Sequence, residues 1–475
     1  YRNAFTRGAA DGSPLFNPLD LNFKNVANTG VLYWGNKLYA LWEVGRPYEL
    51  QPHTLDTVGE SDLGGQLGQR LAGHYRLARE RDGTHRCVAF GAQVSLAGSH
   101  LEFYEMDPSG AIAAKSKYPL NTGSDIMFVH DMLVTDHWYV VLMGPMRFDM
   151  RRFFTEYAAS RTSLAELLVY DKAGRSQILF YPRPGKPCPP GVPTPPPNAP
   201  VVVPAPPAFS FHHVNAYEED GGRRVVLDTI VWQDMALDVT QHNVTTAYYQ
   251  GGCRTQLVRM TADMVTRRLA SCERVVQRTL EFPAINNWGA SGRPYQYAYC
   301  AADAVDDPKA WAPAQALLKI RIPRELGRAP PPPHAPPLSA LGERAGGDAP
   351  GVVTSEWRPG PRCFVNEPFF VPRSPPVGSS SGASSNGSGG IAGSGGEQAE
   401  DDGWIIVGVH DAEVQRAHIA ILDAQRIEEG PVASIALPHA LPPGLHGCWA
   451  PDYLGPDPND LGVPKWREPN RIRQL

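Results

Sequence analysis

Short apolar runs, several alternating with polar residues, recur along the whole chain. VLYWGNKLYALWE (31–43), HLEFYEMD (100–107), HWYVVLMG (137–144), RRVVLDTIVW (223–232), WIIVGVH (404–410) and HIAILDA (418–424) have the length and the β-branched or aromatic content of strands. Turn residues separate many of them, and Gly35-Asn36 splits the first run into a hairpin. Regular short strands over such a length predict an all-β closed architecture, a barrel or a propeller. No clean internal repeat sets a blade count. One stretch departs from the pattern: MRFDMRRFFTEYAASRTSLAELLVYDK (146–172) is helix-friendly in composition and predicts a helical insertion over one face.

Three biased segments interrupt the strands. Residues 183–207 and 329–350 are proline-rich and 374–402 are Gly/Ser-rich. Such compositions bury too little apolar surface to offset chain entropy, so they are expected as flexible insertions within one domain spanning 1–475. Closed β architectures can exceed the usual domain size as single units, and the length does not force a split.

Composition narrows the functional classes. Lys+Arg of 44 against Asp+Glu of 49 gives 44 − 49 = −5, too mild for a polyanion-binding surface, so nucleic acid is not an expected partner. The seven cysteines are odd in number and form no CxxC pair, which predicts reduced thiols. No apolar run approaches the roughly 18–20 residues that span a bilayer. The chain opens at Tyr1 rather than Met, and YRNAFTRGAADG reads like the interior of a longer protein. An N-terminal stretch, with any targeting signal, is therefore expected to precede it.

The candidate chemistry lies in four histidines in four apolar settings: His74 in LAGHYRLARE, His130 in FVHDM, His212 in FHHVNAYEE and His446 in PPGLHGCW. Imidazole suits divalent iron, copper, zinc and nickel. Structural zinc modules keep their ligands a few residues apart, whereas these are spread over more than 370 positions, the pattern of a catalytic centre assembled by the fold. Glu43, Glu281 and Glu367 sit among apolar or aromatic neighbours, where an unpaired carboxylate is costly, so each needs a partner. GSSSG (378–382) fits a hydrolase elbow but lies inside the Gly/Ser tract rather than at a strand-to-helix turn.

LYALWEVGRPYELQPHTLDTVGE (38–60), FVHDM (128–132), FHHVNAYEE (211–219), EFPAINNW (281–288), NEPFFVPR (366–373) and GLHGCW (444–449) resemble, in order, the carotenoid cleavage oxygenase family. That resemblance implies a seven-bladed β-propeller with Fe(II) on its axis, held by His74, His130, His212 and His446. It places Glu43, Glu281 and Glu367 behind three of the four ligands, His74 being the one left without a carboxylate. His213 is then a packing neighbour of His212, Asp131 is structural, and His137 is the substitute should His74 fail. The family usually has Pro and Lys after the histidine that matches His74; here Tyr75-Arg76 follow.

The implied reaction is addition of O2 across a conjugated double bond of a carotenoid or apocarotenoid lying in an apolar tunnel, giving two carbonyl products, with no acid or base beyond the metal centre. Other branches of the family cleave stilbenes or isomerise retinoids, and a non-catalytic polyene-binding propeller is a further alternative. Carotenoids reside in membranes, and the aromatic and arginine residues of 146–161 are expected to touch lipid at the tunnel mouth. The opening NPLDLNFKNVANTGVLYWG resembles cyanobacterial and algal members, from which a plastid or cytoplasmic setting is expected.

Overall fold

A computed structural model describes residues 5–7, 14–16, 25–80, 82–93, 98–120, 126–127, 129–157, 161–162, 165–171, 174, 176–232, 255–304, 313–326, 347–374, 399–442 and 444–451. These residues form an all-β propeller built from six four-stranded antiparallel blades. The first holds Gly30–Trp34, Lys37–Leu41, Tyr48–Leu50 and Thr57–Glu60. The second holds Tyr75–Arg79, His85–Gln93, Ser99–Met106 and Ile112–Leu120. The third holds Leu133–Val134, Trp138–Met143, Ser176–Pro182 and Val201–Ala205. The fourth runs His213–Glu219, Arg224–Trp232, Thr255–Asp263 and Arg268–Val276, and the fifth Leu280–Ala284, Tyr297–Ala302, Ala316–Arg321 and Val353–Trp357. The sixth holds Cys363–Pro372, Gly403–Asp411, Arg416–Asp423 and Pro431–Ala436.

The blade count differs from the seven that the family resemblance implies, and burial locates the difference. Apolar clusters fill the spaces between successive blades from the first to the sixth, as where Trp138 and Phe180 of the third meet Ala216 and Leu227 of the fourth. Among the described residues no such cluster joins the sixth blade to the first. Every residue of Pro431–Ala436 is exposed, Val432 and Ile435 included, although strand side chains normally bury one face.

Turn chemistry follows the sequence. Gly35 (φ 59°) and Asn36 (φ 60°) both take the left-handed conformation that a two-residue hairpin of this kind requires. The proline-rich 183–207 is built into the fold rather than set apart from it. Arg183, 2% exposed, bonds Glu105 and Glu80, and the segment ends as the outer strand of the third blade. Most of the other two biased segments, 327–346 and 375–398, lies outside the described residues. Their described ends are anchored: Glu400 accepts the backbone N–H of Gln296 and Tyr297, and Asp401 pairs with Lys319.

The helical insertion expected over 146–172 is helical in part and strand at its two ends. Met146–Phe148 and Leu168–Tyr170 pair with each other, and Met146–Phe148 also with Ile126–Met127. Only the turns Met150–Arg152, Phe153–Tyr157 and Ala165–Leu167 are helical. β-Branched and aromatic residues at the two ends favour pairing over helix. This sheet packs through Met146 on Phe209 and Trp232. No helix among the described residues is long and apolar enough to cross a membrane.

Candidate metal centre

Three of the four candidate histidines occupy one structural position. His74, His130 and His212 each lie just ahead of the inner strand of their blade, which begins at Tyr75, Leu133 and His213 respectively. Inner strands converge on the propeller axis, so three distant words of sequence end within a few ångströms of one another. His446 follows the last strand of the sixth blade and is held to the first by its backbone N–H, which donates to Thr29 O at 3.2 Å. Gly30 permits the close approach of the chain just ahead of His74: a Cβ there would stand 2.7 Å from Gly73 O, whereas His446 Cβ, at 3.6 Å, is in ordinary contact.

The four imidazoles each offer a nitrogen within 4.8 Å of the others. Nε2 of His74 lies 2.9 Å from Nε2 of His130, and Nε2 of His212 lies 3.1 Å from Nε2 of His446. Two nitrogens bound at right angles to one ion with bonds of roughly 2.1 Å would stand about 3.0 Å apart. His137, the substitute candidate, is outside the cluster, its Nδ1 paired with Glu218 Oε2 at 2.6 Å.

Each of the three glutamates meets one imidazole on the side away from the cluster. Nδ1 of His130 pairs with Glu43 Oε1, Nδ1 of His212 with Glu281 Oε2 at 2.5 Å, and Nδ1 of His446 with Glu367 Oε1 at 2.8 Å. A carboxylate that accepts the Nδ1 proton fixes the tautomer, leaving the Nε2 lone pair aimed inward. Neutral imidazoles whose lone pairs converge at contact distance are a donor set for a cation, and the residues fit a divalent metal with four nitrogen ligands. Among the described residues no glutamate stands behind His74, and burial together with the imidazoles of His130, His446 and His212 holds it well below the ordinary histidine range. Burial also opposes charge on His130, but Glu43 outweighs it and raises that pKa; on His212 burial prevails over Glu281 and the pKa is lowered.

Irregular strands aim the glutamates. The ladder shifts register between Glu281 and Ala284 and again between Val365 and Pro368, and Phe282 takes φ 54°. Pro283 and Pro368 cannot donate to a ladder, so a bulge forms beside each carboxylate and turns it toward its histidine. Glu281 is saturated: Oε1 accepts Trp232 Nε1–H at 2.8 Å and Oε2 accepts Phe282 N–H at 2.8 Å in addition to His212. Glu367 Oε2 accepts Gly447 N–H at 2.8 Å.

Aromatic rings wall the centre. Phe211 lies 4.9 Å from His130, and Phe282 lies 5.2 Å from His212 and 5.6 Å from His446. A cavity of about 120 Å³ touches His74, His212, His446, Phe282 and Phe369. That is below the roughly 300 Å³ of an ordinary organic-ligand site and suits a small molecule with the reacting part of a larger one. His213, kept neutral by burial with its pKa lowered to about 4, bonds Thr229 and takes no place among the four. The reading of the sequence missed the aromatic wall and the contacts of Trp232 and Arg76. Arg76 was visible as the residue standing where the family usually has Lys.

Known proteins resemble this chain along most of its length. Residues 1–451 match the family described as retinal pigment epithelial membrane protein. The apocarotenoid-15,15'-oxygenase of Synechocystis is 30% identical over 95% of this chain and 78% of its own length. The chloroplastic carotenoid cleavage dioxygenase 7 of rice is 25% identical (90% and 71% covered), and the isoeugenol monooxygenase of Pseudomonas nitroreducens 26% (90% and 76%). The crystal structure of cobalt-substituted Synechocystis ACO superposes with a TM-score of 0.72 at 29% identity, covering 95% of this chain and 79% of that one.

Proposed function

We infer the reaction from one premise: this chain belongs to the carotenoid cleavage oxygenase family. It is a dioxygenase that cleaves a conjugated double bond of a carotenoid or apocarotenoid with O2, giving two carbonyl products. The C=C and O–O bonds break and two C=O bonds form, so electrons balance without an external reductant. The observation that carries this reading is the convergence of four inward-facing imidazole nitrogens, three of them backed by carboxylates.

His74, His130, His212 and His446 would hold Fe(II), which supplies the site at which O2 is bound and activated. Glu43, Glu281 and Glu367 hold the Nδ1 protons of their partners and moderate the metal's charge without occupying a coordination position. Phe211 and Phe282 exclude water and present apolar surface to a polyene. No side chain is assigned a proton to transfer, and Asp131 is kept for structure.

Two finer points belong with this reading. A seventh blade lies between the sixth and the first, supported by the uncovered faces of Pro431–Ala436 and by the family resemblance. The segment 146–157, a short strand followed by helical turns, borders the substrate entrance and touches lipid. It packs in one cluster with Phe211, which stands against His130, and it exposes Phe154 (58%).

The test is to load the protein with Fe(II) and offer β-carotene, an apocarotenal, a phenolic stilbene and a retinyl ester in separate micellar assays under air. Aldehydes from the carotenoid substrates alone support the reading. Products from the stilbene alone favour phenylpropenoid cleavage, in keeping with the isoeugenol relative, and retinol isomers favour the isomerase branch. Absence of any product from iron-loaded protein favours a polyene-binding propeller.

A further inference from the structure

We propose that Arg76 and Asp131 form a brace that sets the mutual spacing of three of the four metal-binding histidines, a role that rests on the reading of the four histidines as a metal centre. Arg76 lies two residues after His74, Asp131 one after His130, and His213 one after His212. The Arg76 guanidinium pairs with the Asp131 carboxylate, donates from Nε to Met132 O at 2.8 Å, and donates from Nη2 to His213 O at 2.9 Å. Asp131 completes the connection from the other side. Its Oδ2 accepts His213 N–H at 3.0 Å and its Oδ1 accepts Met132 N–H at 2.7 Å.

One ion pair therefore ties the inner strands of the second, third and fourth blades together, in each case within two residues of a ligand. Asp131 is 3% exposed, so these bonds face little competition from water. A planar fork is what the arrangement needs. Arginine reaches two carbonyls and a carboxylate in fixed directions, whereas a lysine ammonium is a single point with free rotation. The pair is neutral as a whole and adds no net charge beside the metal. Arg76 and Asp131 are positioning residues that act through the backbone of the ligand-bearing strands, not groups that touch metal or substrate.

Charge and geometry make different forecasts. Removing the aspartate charge leaves an uncompensated guanidinium near the centre and weakens cation binding by electrostatics alone; removing the arginine charge does the reverse. A brace predicts that either change weakens binding, because either loosens the strands. The experiment uses the full chain and Co(II) as the probe, with affinity measured against a competing chelator and ligand geometry read from visible absorption bands. Asp131→Asn and Arg76→Gln are both expected to bind Co(II) at least about tenfold more weakly with altered bands, the scale seen when groups behind metal ligands are lost. Arg76→Lys is expected to fall between them and the unaltered protein.

Tighter binding by Arg76→Gln beside weaker binding by Asp131→Asn would overturn the brace in favour of a simple field effect. Unchanged affinity and bands in folded variants would overturn it outright, and should Arg76→Gln fail to fold, unchanged behaviour of Arg76→Lys decides against it. If the unaltered protein binds no Co(II), the metal-centre reading itself fails and the brace falls with it.

Discussion

Replacing Glu281 by Gln isolates the contribution of one carboxylate behind one ligand. Three donors converge on its two oxygens: His212 Nδ1–H at 2.5 Å, Trp232 Nε1–H at 2.8 Å and Phe282 N–H at 2.8 Å. A glutamine carbonyl can replace one oxygen only, and its NH2 group must face a donor at the other. Leaving one buried donor unsatisfied costs about 1–3 kcal/mol. If that cost falls on the metal-bound state, it corresponds to roughly 5- to 150-fold in affinity, at about 1.4 kcal/mol per factor of ten. The range brackets the roughly 10- to 100-fold losses typical of mutating such outer partners. Competition of a chromogenic chelator for Fe(II) under argon measures the effect, with thermal melting alongside to register any loss of folding. A Kd within about twofold of the unaltered protein would refute the claim that Glu281 holds His212 for the metal.

Other perturbations probe the fold and the surface. Glu105→Gln removes one of the two carboxylates that pair with the buried Arg183, leaving Glu80, and should destabilise the protein by about 1–3 kcal/mol near neutral pH. Burial alone would raise the Glu105 pKa, but the bonds and charge of Arg183 lower it from 4.5, so its stabilisation is present above that value and is lost as pH falls through the folded pKa. The stability gap between the two proteins, read by urea unfolding, should therefore narrow in acid; a gap independent of pH would contradict this. Asn215→Ala frees the loop that carries Trp288 from its bonds to Ala290 O, Arg293 O and Gly292 N–H, and should cost about 1–3 kcal/mol, seen as a lowered urea midpoint. The double variant Phe153→Ser, Phe154→Ser should float less with liposomes than the unaltered protein, and equal flotation would remove the lipid contact from the account.

What the sequence made legible was the chemistry-bearing words. FVHDM, FHHVNAYEE and GLHGCW each carry residues that the fold delivers to one point; that Glu43, Glu281 and Glu367 need partners was legible from their apolar settings, that the partners are ligands came from the family resemblance, and the individual pairs come from the structure. The bulges beside Glu281 and Glu367 were not anticipated, although Pro283 and Pro368, prolines inside strands, are the signal that marks them. Residues 146–172 were legible in part: helical turns do form at Met150–Arg152, Phe153–Tyr157 and Ala165–Leu167, but composition gave no sign of the tertiary pairing of Met146–Phe148 with Leu168–Tyr170. The proline tract 183–207 was misread for a related reason. Composition alone gave no sign that Arg183 would be pulled inward by Glu105 and Glu80, carboxylates about 80 and 100 positions earlier. Arg76 stood out where the family usually has Lys and Asp131 was read as structural, but their pairing was not legible until three strands were brought together.

The central claim is that the four histidines hold the iron that cleaves a polyene. The most direct measurement compares the Fe(II)-loaded protein with its His130→Ala variant on one apocarotenal, following products by chromatography with mass detection. The account predicts two new carbonyl fragments whose carbon counts sum to that of the substrate, appearing only with iron and lost in the variant. Intact substrate in the presence of protein carrying one iron per chain, or equal cleavage by the variant, would contradict it.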